Sequence, residues 1–185
     1  MIIGCMSVFN EAAQIETAIK SLSWCDKIVV VDGSYKGFPE QGLSKDRTVW
    51  IADKLGCHII LAKAGLTQVQ KRNMYLIGRP GDYYVVLDGD EVWHGEIGDL
   101  EDRAYRVKHT GSGWIPPTIR IFRHGARYKH AHNRLYIGKE KLIEVEAPVM
   151  KGVHIEHRKN LRTQKRKGQG LKYFLYQINE EENIS

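Results

Sequence analysis

The sequence has few cysteines and no long apolar run. Its three cysteines, Cys5, Cys25 and Cys57, are odd in number, widely spaced and outside any C-x-x-C pattern. This usage excludes a disulfide framework and a cysteine zinc site, and it predicts small core residues in a reducing compartment. No stretch approaches the roughly 20 apolar residues that a membrane span needs, and the N-terminus lacks a basic region followed by an apolar one. We therefore expect a cytoplasmic chain without a transmembrane segment.

The sequence also lacks an internal repeat and a linker between domains. Its 185 residues, 42% hydrophobic and 27% charged, are enough for one globular domain with a substantial core. We therefore predict a single domain, residues 1–185. Its parts are a first half at 1–93, a second half at 94–156 and a basic C-terminal helix or tail at 157–185.

Acidic residues are absent between His157 and Lys172, where basic residues accumulate. The seven basic residues of this segment are Arg158, Lys159, Arg162, Lys165, Arg166, Lys167 and Lys172. Without them the net charge of +6 nearly disappears, so the basicity is a local feature. A solvated helix face is the default explanation. The alternatives are contact with a bound pyrophosphate group, contact with nucleic acid, and contact with an anionic membrane surface, which would place the protein at the inner membrane face.

Buried strands and amphipathic helices alternate through the first half. Apolar runs predict strands at 2–8, 27–32, 57–61 and 83–88. Helical spacing of apolar residues predicts helices at 12–22, 46–55 and 67–77. Asn10 is the predicted N-cap of the first helix. This alternation predicts an α/β fold with a mostly parallel central sheet flanked by helices and connected by right-handed crossovers.

The second half has a different pattern. Apolar and polar residues alternate in short segments, which predicts antiparallel strands with one solvated face. The alternating segments lie at 105–108 and 118–123, and further short strands are predicted within 134–137 and 142–155. The acidic stretch 94–102 predicts a solvated turn or short helix, and residues 161–178 predict a final helix that carries the basic face.

Two carboxylates directly follow the last strand of the first half. If the extended backbone continues to position 90, Asp88 and Asp90 point to the same face, roughly 6.5 to 7 Å apart. Two carboxylates at that separation can share one Mg²⁺ or Mn²⁺ ion. Ligands of open α/β sheets bind at the carboxyl ends of the strands, and Asn10 and Asp32 should reach the same edge. The alternative is an Asp-Gly turn that only closes the strand.

Five blocks in about the first hundred residues resemble family 2 glycosyltransferases of the GT-A fold in order and approximate spacing. The blocks are Val8-Phe9-Asn10-Glu11, Ser21-Leu22, Ile28-Val29-Val30-Val31-Asp32-Gly33-Ser34, Gln70-Lys71-Arg72-Asn73 and Val86-Leu87-Asp88-Gly89-Asp90-Glu91. A further segment is similar to the R-L-F-R segment of small lipopolysaccharide-type bacterial or viral members. It is Ile119-Arg120-Ile121-Phe122-Arg123.

The resemblance implies transfer of a sugar from a nucleotide-diphosphate sugar, with a UDP-sugar favoured, to an acceptor hydroxyl with inversion. It assigns seven residues to the nucleotide-sugar site: Phe9, Asn10, Glu11, Asp32, Arg72, Asp88 and Gly89. Within that set Asp32 would lie near the base or ribose, and Arg72 near the nucleotide. Asp90 would be the principal ligand of Mn²⁺ or Mg²⁺, with Asp88 beside it and His154 as a third ligand.

The chain departs from the family pattern in two places. Residues 35–45 separate the D-G-S block from Asp46-Arg47-Thr48, which predicts a loop remodelled around the donor. The carboxylate base of inverting members has no clear counterpart near residues 129–134. His132 is our candidate base, because an imidazole titrates near neutrality, and Asp102 is the alternative. Trp114, in a loop rich in Gly and Pro, is our candidate acceptor contact.

The acceptor remains open between a glycan, a lipid-linked sugar and a modified nucleic acid. A metal-dependent nuclease or nucleic-acid-binding protein is the alternative from another class. It would use carboxylates such as Asp32 and Glu91 for ions and the basic segment for phosphates. A sugar-nucleotidyltransferase would need a Gly-rich loop with a basic residue after the first strand, where this chain has Asn10 and Glu11.

Overall fold

A computed structural model describes residues 1–111, 115–131, 133–142 and 146–158. Its elements, in chain order, are β1 (Ile2–Val8), α1 (Ile15–Ser21), β2 (Lys27–Asp32), α2 (Thr48–Lys54), β3 (His58–Leu61), α3 (Gln68–Met74), β4 (Tyr83–Asp88), β5 (Glu91–His94), β6 (Ala104–Thr110), β7 (Thr118–Arg123), β8 (Ala126–Tyr128), β9 (Leu135–Ile137), β10 (Glu140–Lys141) and β11 (Val149–His157). Each of these helices has seven residues, and none in the described ranges is long and apolar enough to cross a membrane.

Eight strands form one sheet in the order β3-β2-β1-β4-β7-β6-β11-β5. Strands β3, β2, β1 and β4 are parallel, as expected for strands joined by helical crossovers. Strand β7 runs antiparallel to both β4 and β6, and β8, β9 and β10 form a small antiparallel sheet. The prediction of an α/β fold with a parallel first half flanked by helices and antiparallel strands in the second half is confirmed, except that β11 runs parallel to β6.

The central sheet is buried on both faces. Alternate residues of β2 face opposite sides, so Val30 packs in one hydrophobic cluster while Val29 and Val31 pack in the other. The first cluster includes residues of α1 such as Ile15, and the second includes Tyr75, which follows α3. Burial on both faces explains why these strands are continuously apolar.

The first helix starts later than the sequence predicts. It begins at Ile15, and Gln14 is its N-cap without a side-chain capping bond. The prediction that Asn10 caps this helix is therefore wrong. Asn10 has a φ of 54°, in the left-handed region that asparagine tolerates, and its side-chain oxygen accepts a hydrogen bond from the Lys45 N–H at 2.8 Å. Asn10 thus belongs to a loop contact.

Strand β5, which the sequence did not predict, forms directly after the Asp-Gly-Asp segment. It pairs antiparallel with β11, so that His94 lies opposite His154 and Glu91 lies opposite His157. The acidic residues that follow β5 form an exposed irregular segment. The predicted helix at 161–178 lies outside the described residues.

Candidate active site

The carboxyl ends of β1, β2 and β4 meet α3 at one edge of the sheet. A cleft of about 240 Å³ lies there. Its walls include Phe9, Glu11, Lys71, Arg72, Asp88, Gly89, Asp90 and His157. The strand topology therefore brings together residues that are as many as 150 positions apart in the sequence, from Ser7 to His157. This cleft is the candidate active site.

The Asp88–Glu91 turn forms one wall of the cleft. Strand β4 ends at Asp88, and Gly89 and Asp90 form a turn into β5, so the extended backbone that we expected does not continue to position 90. The Glu91 carboxylate accepts a hydrogen bond from the Asp88 N–H at 2.9 Å and braces the turn. A Cβ atom at position 89 would lie 2.9 Å from Cγ of Glu11, so only glycine allows Glu11 to pack against the turn.

Two arginines orient Asp88. The Arg72 guanidinium donates a hydrogen bond to Oδ1 of Asp88 at 2.8 Å, and an Arg120 nitrogen lies 3.8 Å from Oδ2. Arg120 also donates to Oε1 of Glu91 at 2.7 Å. Both arginine side chains are mostly buried, at 9% and 13% exposure, so these pairs are weakly screened by solvent. Asp88 is thus held in one orientation.

Asp90 pairs with His157. Nε2 of His157 lies 3.3 Å from Oδ2 of Asp90, because the pairing of β5 with β11 places His157 opposite Glu91. Burial raises the pKa of the Asp90 carboxyl, and the charge of Asp88 raises it further. Nδ1 of His157 is buried and has no hydrogen-bond partner in the part of the chain that the structure describes. This pair is therefore a partly buried polar centre within the cleft.

His154, our predicted third metal ligand, lies elsewhere on β11. Its ring stacks on His94 with 4.8 Å between centroids, and His94 in turn lies 2.9 Å from Glu156. The register explains the difference, because His154 pairs with the residue at the far end of β5 from the turn. We therefore replace His154 by His157 in the proposed ligand set.

Asp90 and His157 do not form a complete metal site by themselves. Among the described residues no group of three or more His, Cys, Asp or Glu side chains is arranged to hold a metal ion. Mg²⁺ sites, however, are commonly built from one or two protein carboxylates completed by substrate phosphates and water. Asp90, next to Asp88, supplies carboxylate oxygens of the kind that Mn²⁺ also accepts, and His157 adds an imidazole nitrogen.

Helix α3 places a buried lysine beneath the cleft. The helix begins with a capping box in which Thr67 and Gln70 each accept a hydrogen bond from the other's backbone N–H. Nζ of Lys71 donates to the carbonyl of Val8 at 2.7 Å and also to the carbonyl of Gly33. Burial lowers the pKa of Lys71 from 10.5 to about 7, against the opposing charge of Asp32. We did not predict a role for Lys71, although it lies in the same sequence block as Arg72.

Asp32 and Asn10 do not line the cleft. Asp32 is fully buried, and both its oxygens accept hydrogen bonds from Ser44, from the N–H at 2.9 Å and from the hydroxyl at 2.5 Å. The Asn10 N–H donates to the same Ser44 hydroxyl at 2.7 Å. Both residues therefore contact the β2–α2 loop, residues 33–47.

A second cavity, also of about 240 Å³, lies beside the first. Arg72 and Asp88 line both cavities. The other walls of the second cavity are Val86, Thr118, Ile119, Arg120, Tyr128, Asn133 and Leu135. Nε of Arg72 is buried without a hydrogen-bond partner among the described residues. The two cavities therefore share one pair of oppositely charged side chains.

The remaining predicted site residues are Asp102, His132 and Trp114. Asp102 lines a separate cavity with Arg103 and Glu140. His132, the candidate base, and Trp114, the candidate acceptor contact, lie outside the described residues, so both remain predictions.

The chain matches no family model. Among solved structures, it is similar to TarS of S. aureus (residues 1–349) in complex with UDP, with 16% identity and a TM-score of 0.45 over 74% of this chain and 46% of that one. It is also similar to glucosyl-3-phosphoglycerate synthase from Mycobacterium tuberculosis in complex with Mn²⁺, UDP-glucose and phosphoglyceric acid. There the identity is 22% and the TM-score 0.40, over 50% of this chain and 34% of that one. The chain thus spans less than half the length of either structure.

Proposed function

We propose that this chain is a metal-dependent glycosyltransferase that transfers a sugar from a nucleotide-diphosphate sugar to an acceptor hydroxyl, with inversion at the sugar carbon. The observation that carries the proposal is the convergence of the Asp88–Glu91 turn with Lys71, Arg72 and His157 in one cleft. That edge of an open α/β sheet is where ligands bind. A leaving diphosphate gains negative charge as the glycosidic bond breaks, and the Arg72 guanidinium and a bound cation would stabilise that charge.

The proposed donor site uses the residues that line the first cavity. Phe9, Glu11 and Gly89 would contact the donor, with a UDP-sugar favoured by the sequence resemblance. Arg72, fixed against Asp88, would contact the nucleotide. Asp32 and Asn10 would support the wall of the cleft through the β2–α2 loop.

The proposed cation, Mn²⁺ or Mg²⁺, would be held by Asp90 and His157 with Asp88 beside it. Bound there, the cation would neutralise charge on the leaving diphosphate. Other side chains hold the backbone around these ligands in place. Glu91 braces the turn, and Lys71 ties the ends of β1 and β2 together through two carbonyl groups. The ligands are therefore held before substrate binds.

We place the acceptor in the second cavity. It borders the first across Arg72 and Asp88, so a hydroxyl bound there would approach the donor sugar from the antiparallel half of the sheet. Asn133, which follows His132 in the sequence, lines this cavity. His132 stays our candidate for the base that accepts the hydroxyl proton, because Asp102 lines a different cavity.

The class of acceptor and the cellular location also remain proposals. A glycan, a lipid-linked sugar or a modified nucleic acid would each suit a hydroxyl acceptor, and residues 158–172 would contact an anionic surface. Arg158 is the one basic residue of that segment within the described ranges, and its N–H donates to the Asp90 carbonyl at 2.9 Å.

A thermal-shift experiment tests the proposed function. UDP, GDP, ADP, CDP and their sugars are added to the full chain with and without Mn²⁺, and the same series is run on Asp90→Ala. A ligand at a hundred times its Kd stabilises the native state by about 2.7 kcal/mol, which for a chain of this size raises Tm by roughly 5 to 10 °C. We expect this rise to need Mn²⁺ and to disappear in Asp90→Ala.

The matched control is Asp99→Ala, an exposed aspartate in the irregular segment after β5. It should respond as wild type does. The proposal is contradicted if no nucleotide diphosphate or sugar stabilises the protein with Mn²⁺, or if Asp90→Ala keeps the full metal-dependent rise. Metal-dependent cleavage of nucleic acid in the absence of any donor would support the nuclease alternative.

A further inference from the structure

The β2–α2 loop brings two aromatic side chains into the candidate active site. Tyr35 and Phe38 line the cleft together with Phe9, which follows β1. The rings pack edge to face, with centroids 4.6 Å apart between Tyr35 and Phe38 and 5.5 Å apart between Phe38 and Phe9. The same cleft contains Asp90 and His157. An aromatic cluster and a charged cluster therefore share one cavity.

The loop is anchored by the carboxylate of Asp32. Ser44 donates to both oxygens of that carboxylate, and the Asn10 N–H donates to the Ser44 hydroxyl. These hydrogen bonds form a chain from the end of β1 through Ser44 to the end of β2. Asp32 is fully buried, and the side chain that the resemblance assigns to the donor instead anchors the loop.

Other hydrogen bonds hold the backbone on either side of the aromatic residues. Ser34 and Gly42 exchange two of them: the Ser34 N–H donates to the Gly42 carbonyl, and the Gly42 N–H donates to the Ser34 hydroxyl, each at 2.8 Å. The Lys36 N–H donates to the Leu66 carbonyl at 2.7 Å. The aromatic wall is thus pre-organised, which reduces the entropy lost when a ligand binds.

We propose that Phe38 and Tyr35 bind the nucleobase of the donor by ring contact, and that Asp32 acts through Ser44 as a positioning residue for the loop. This inference rests on the proposed function, because it names the base contact within the same cleft. A nucleoside diphosphate has a planar ring and an anionic group, which match the aromatic and charged clusters. Stacking on an aromatic side chain stabilises the binding of any nucleobase, whatever its hydrogen-bonding pattern.

One consequence concerns base selectivity. A carboxylate that accepts hydrogen bonds from a base distinguishes bases by their N–H groups, whereas an aromatic face accepts all of them. Since Ser44 occupies both oxygens of Asp32, we expect UDP, CDP, ADP and GDP to bind with Kd values within about tenfold of one another. Selectivity of a hundredfold or more for one base would overturn the inference.

Calorimetric titration of Phe38→Ala tests the ring contact. The probes are UDP, ADP and inorganic pyrophosphate, each with Mn²⁺. Loss of one stacking side chain should raise the Kd of the nucleotides roughly 5-fold to 150-fold and leave the Kd of pyrophosphate unchanged. Phe38→Tyr should restore nucleotide binding. Phe38→Leu, which keeps an apolar contact with Phe9 without a planar ring, should behave as Phe38→Ala does and serves if the alanine variant does not fold.

Two further variants complete the test. Trp50→Ala removes an aromatic side chain that is 50% exposed on α2, outside the cleft, and should bind all three probes as wild type does.

Ser44→Ala removes the hydroxyl that bridges Asp32 and Asn10. It should weaken the binding of both nucleotides to a similar degree and leave the binding of pyrophosphate unchanged. The exposed Ser23→Ala is its control. A general loss of structure in Ser44→Ala would instead weaken pyrophosphate as well, which would contradict the positioning role.

The outcomes separate this inference from the proposed function. If wild type binds nucleotides with Mn²⁺ and Phe38→Leu binds them equally well, the ring contact is wrong and the glycosyltransferase proposal stands. If wild type binds neither nucleotides nor pyrophosphate with Mn²⁺, the proposed function itself fails and the inference fails with it.

Discussion

Lys71 combines deep burial with a strongly shifted pKa. The side chain is 1% exposed, and its nitrogen contacts the carbonyls of Val8 and Gly33. A neutral amine still has two N–H donors, so both hydrogen bonds persist when the lysine loses its proton. Burial is therefore the main cause of the lowered pKa, from 10.5 to about 7, and the charge of Arg72 lowers it further.

At the scale of this residue we predict a pH-dependent stability. Because the folded pKa lies below the unfolded one, the unfolded chain binds more protons between about pH 7 and 10.5, and the free energy of unfolding rises with pH across that window. Lys71→Met lacks this contribution. Urea unfolding at several pH values should show wild type gaining stability relative to Lys71→Met as the pH rises.

The same substitution at the exposed Lys54 is the matched control, since it removes a lysine without changing a buried site. A difference between wild type and Lys71→Met that stays constant from pH 7 to 10 would contradict the burial of a titrating amine.

At the scale of the element, α3 has the greatest influence on the site. This helix has only seven residues, yet it places Lys71 beneath the cleft and Arg72 against Asp88. Short helices gain little stability from backbone hydrogen bonds alone. The capping box at Thr67 and Gln70 is therefore important for holding the first turn in place.

We predict that Thr67→Ala lowers the free energy of unfolding by about 1 kcal/mol, because the Gln70 N–H loses its acceptor. The control is Thr17→Ala on an exposed face of α1, where helix propensity favours alanine and stability should rise by a few tenths of a kcal/mol. Denaturant unfolding measures both. Equal effects of the two substitutions would show that the cap contributes nothing.

The β2–α2 loop is the second element that shapes the site. Its aromatic residues would have been a detectable signal in the sequence, since Tyr35 and Phe38 interrupt a segment otherwise rich in glycine and other small or polar residues. The sequence predicted a loop remodelled around the donor. The anchoring of that loop on Asp32 depends on a serine 12 positions away and is visible only in the tertiary structure.

At the scale of the whole molecule, the reactivity of the three cysteines depends on the packing of the two hydrophobic clusters. Cys5 is buried, and burial raises its pKa well above 9.0. Burial also raises the pKa of Cys25 to about 12 and that of Cys57 to about 11. Because the thiolate is the reactive form, all three thiols should react slowly in the folded protein.

We predict that a thiol reagent at pH 8 labels Cys57 roughly 100-fold more slowly than an unperturbed thiol, and Cys5 and Cys25 more slowly still. All three should react at the ordinary rate in denaturing urea. The time course of absorbance with a chromogenic disulfide measures this. Rapid labelling of any one cysteine under native conditions would contradict the burial of that side of the sheet.

The sequence by itself determined the parallel half of the sheet. Continuous apolar runs in β1, β2 and β4 require burial on both faces, and helices between them require parallel pairing. From that topology follows the edge at which the Asp88–Glu91 turn meets β1. The sequence also singled out Arg72, which the structure places against Asp88.

Only the tertiary structure decided which distant residues complete the site. The sequence favoured His154 as the third metal ligand, whereas the pairing of β11 with β5 brings His157 to the turn because it lies opposite Glu91. Asp32 is a strand-end carboxylate by sequence, and its burial under Ser44 removes it from the cleft. The physical reason is that local periodicity specifies strands and helices. Strand register and loop anchoring depend on contacts between residues far apart in the chain.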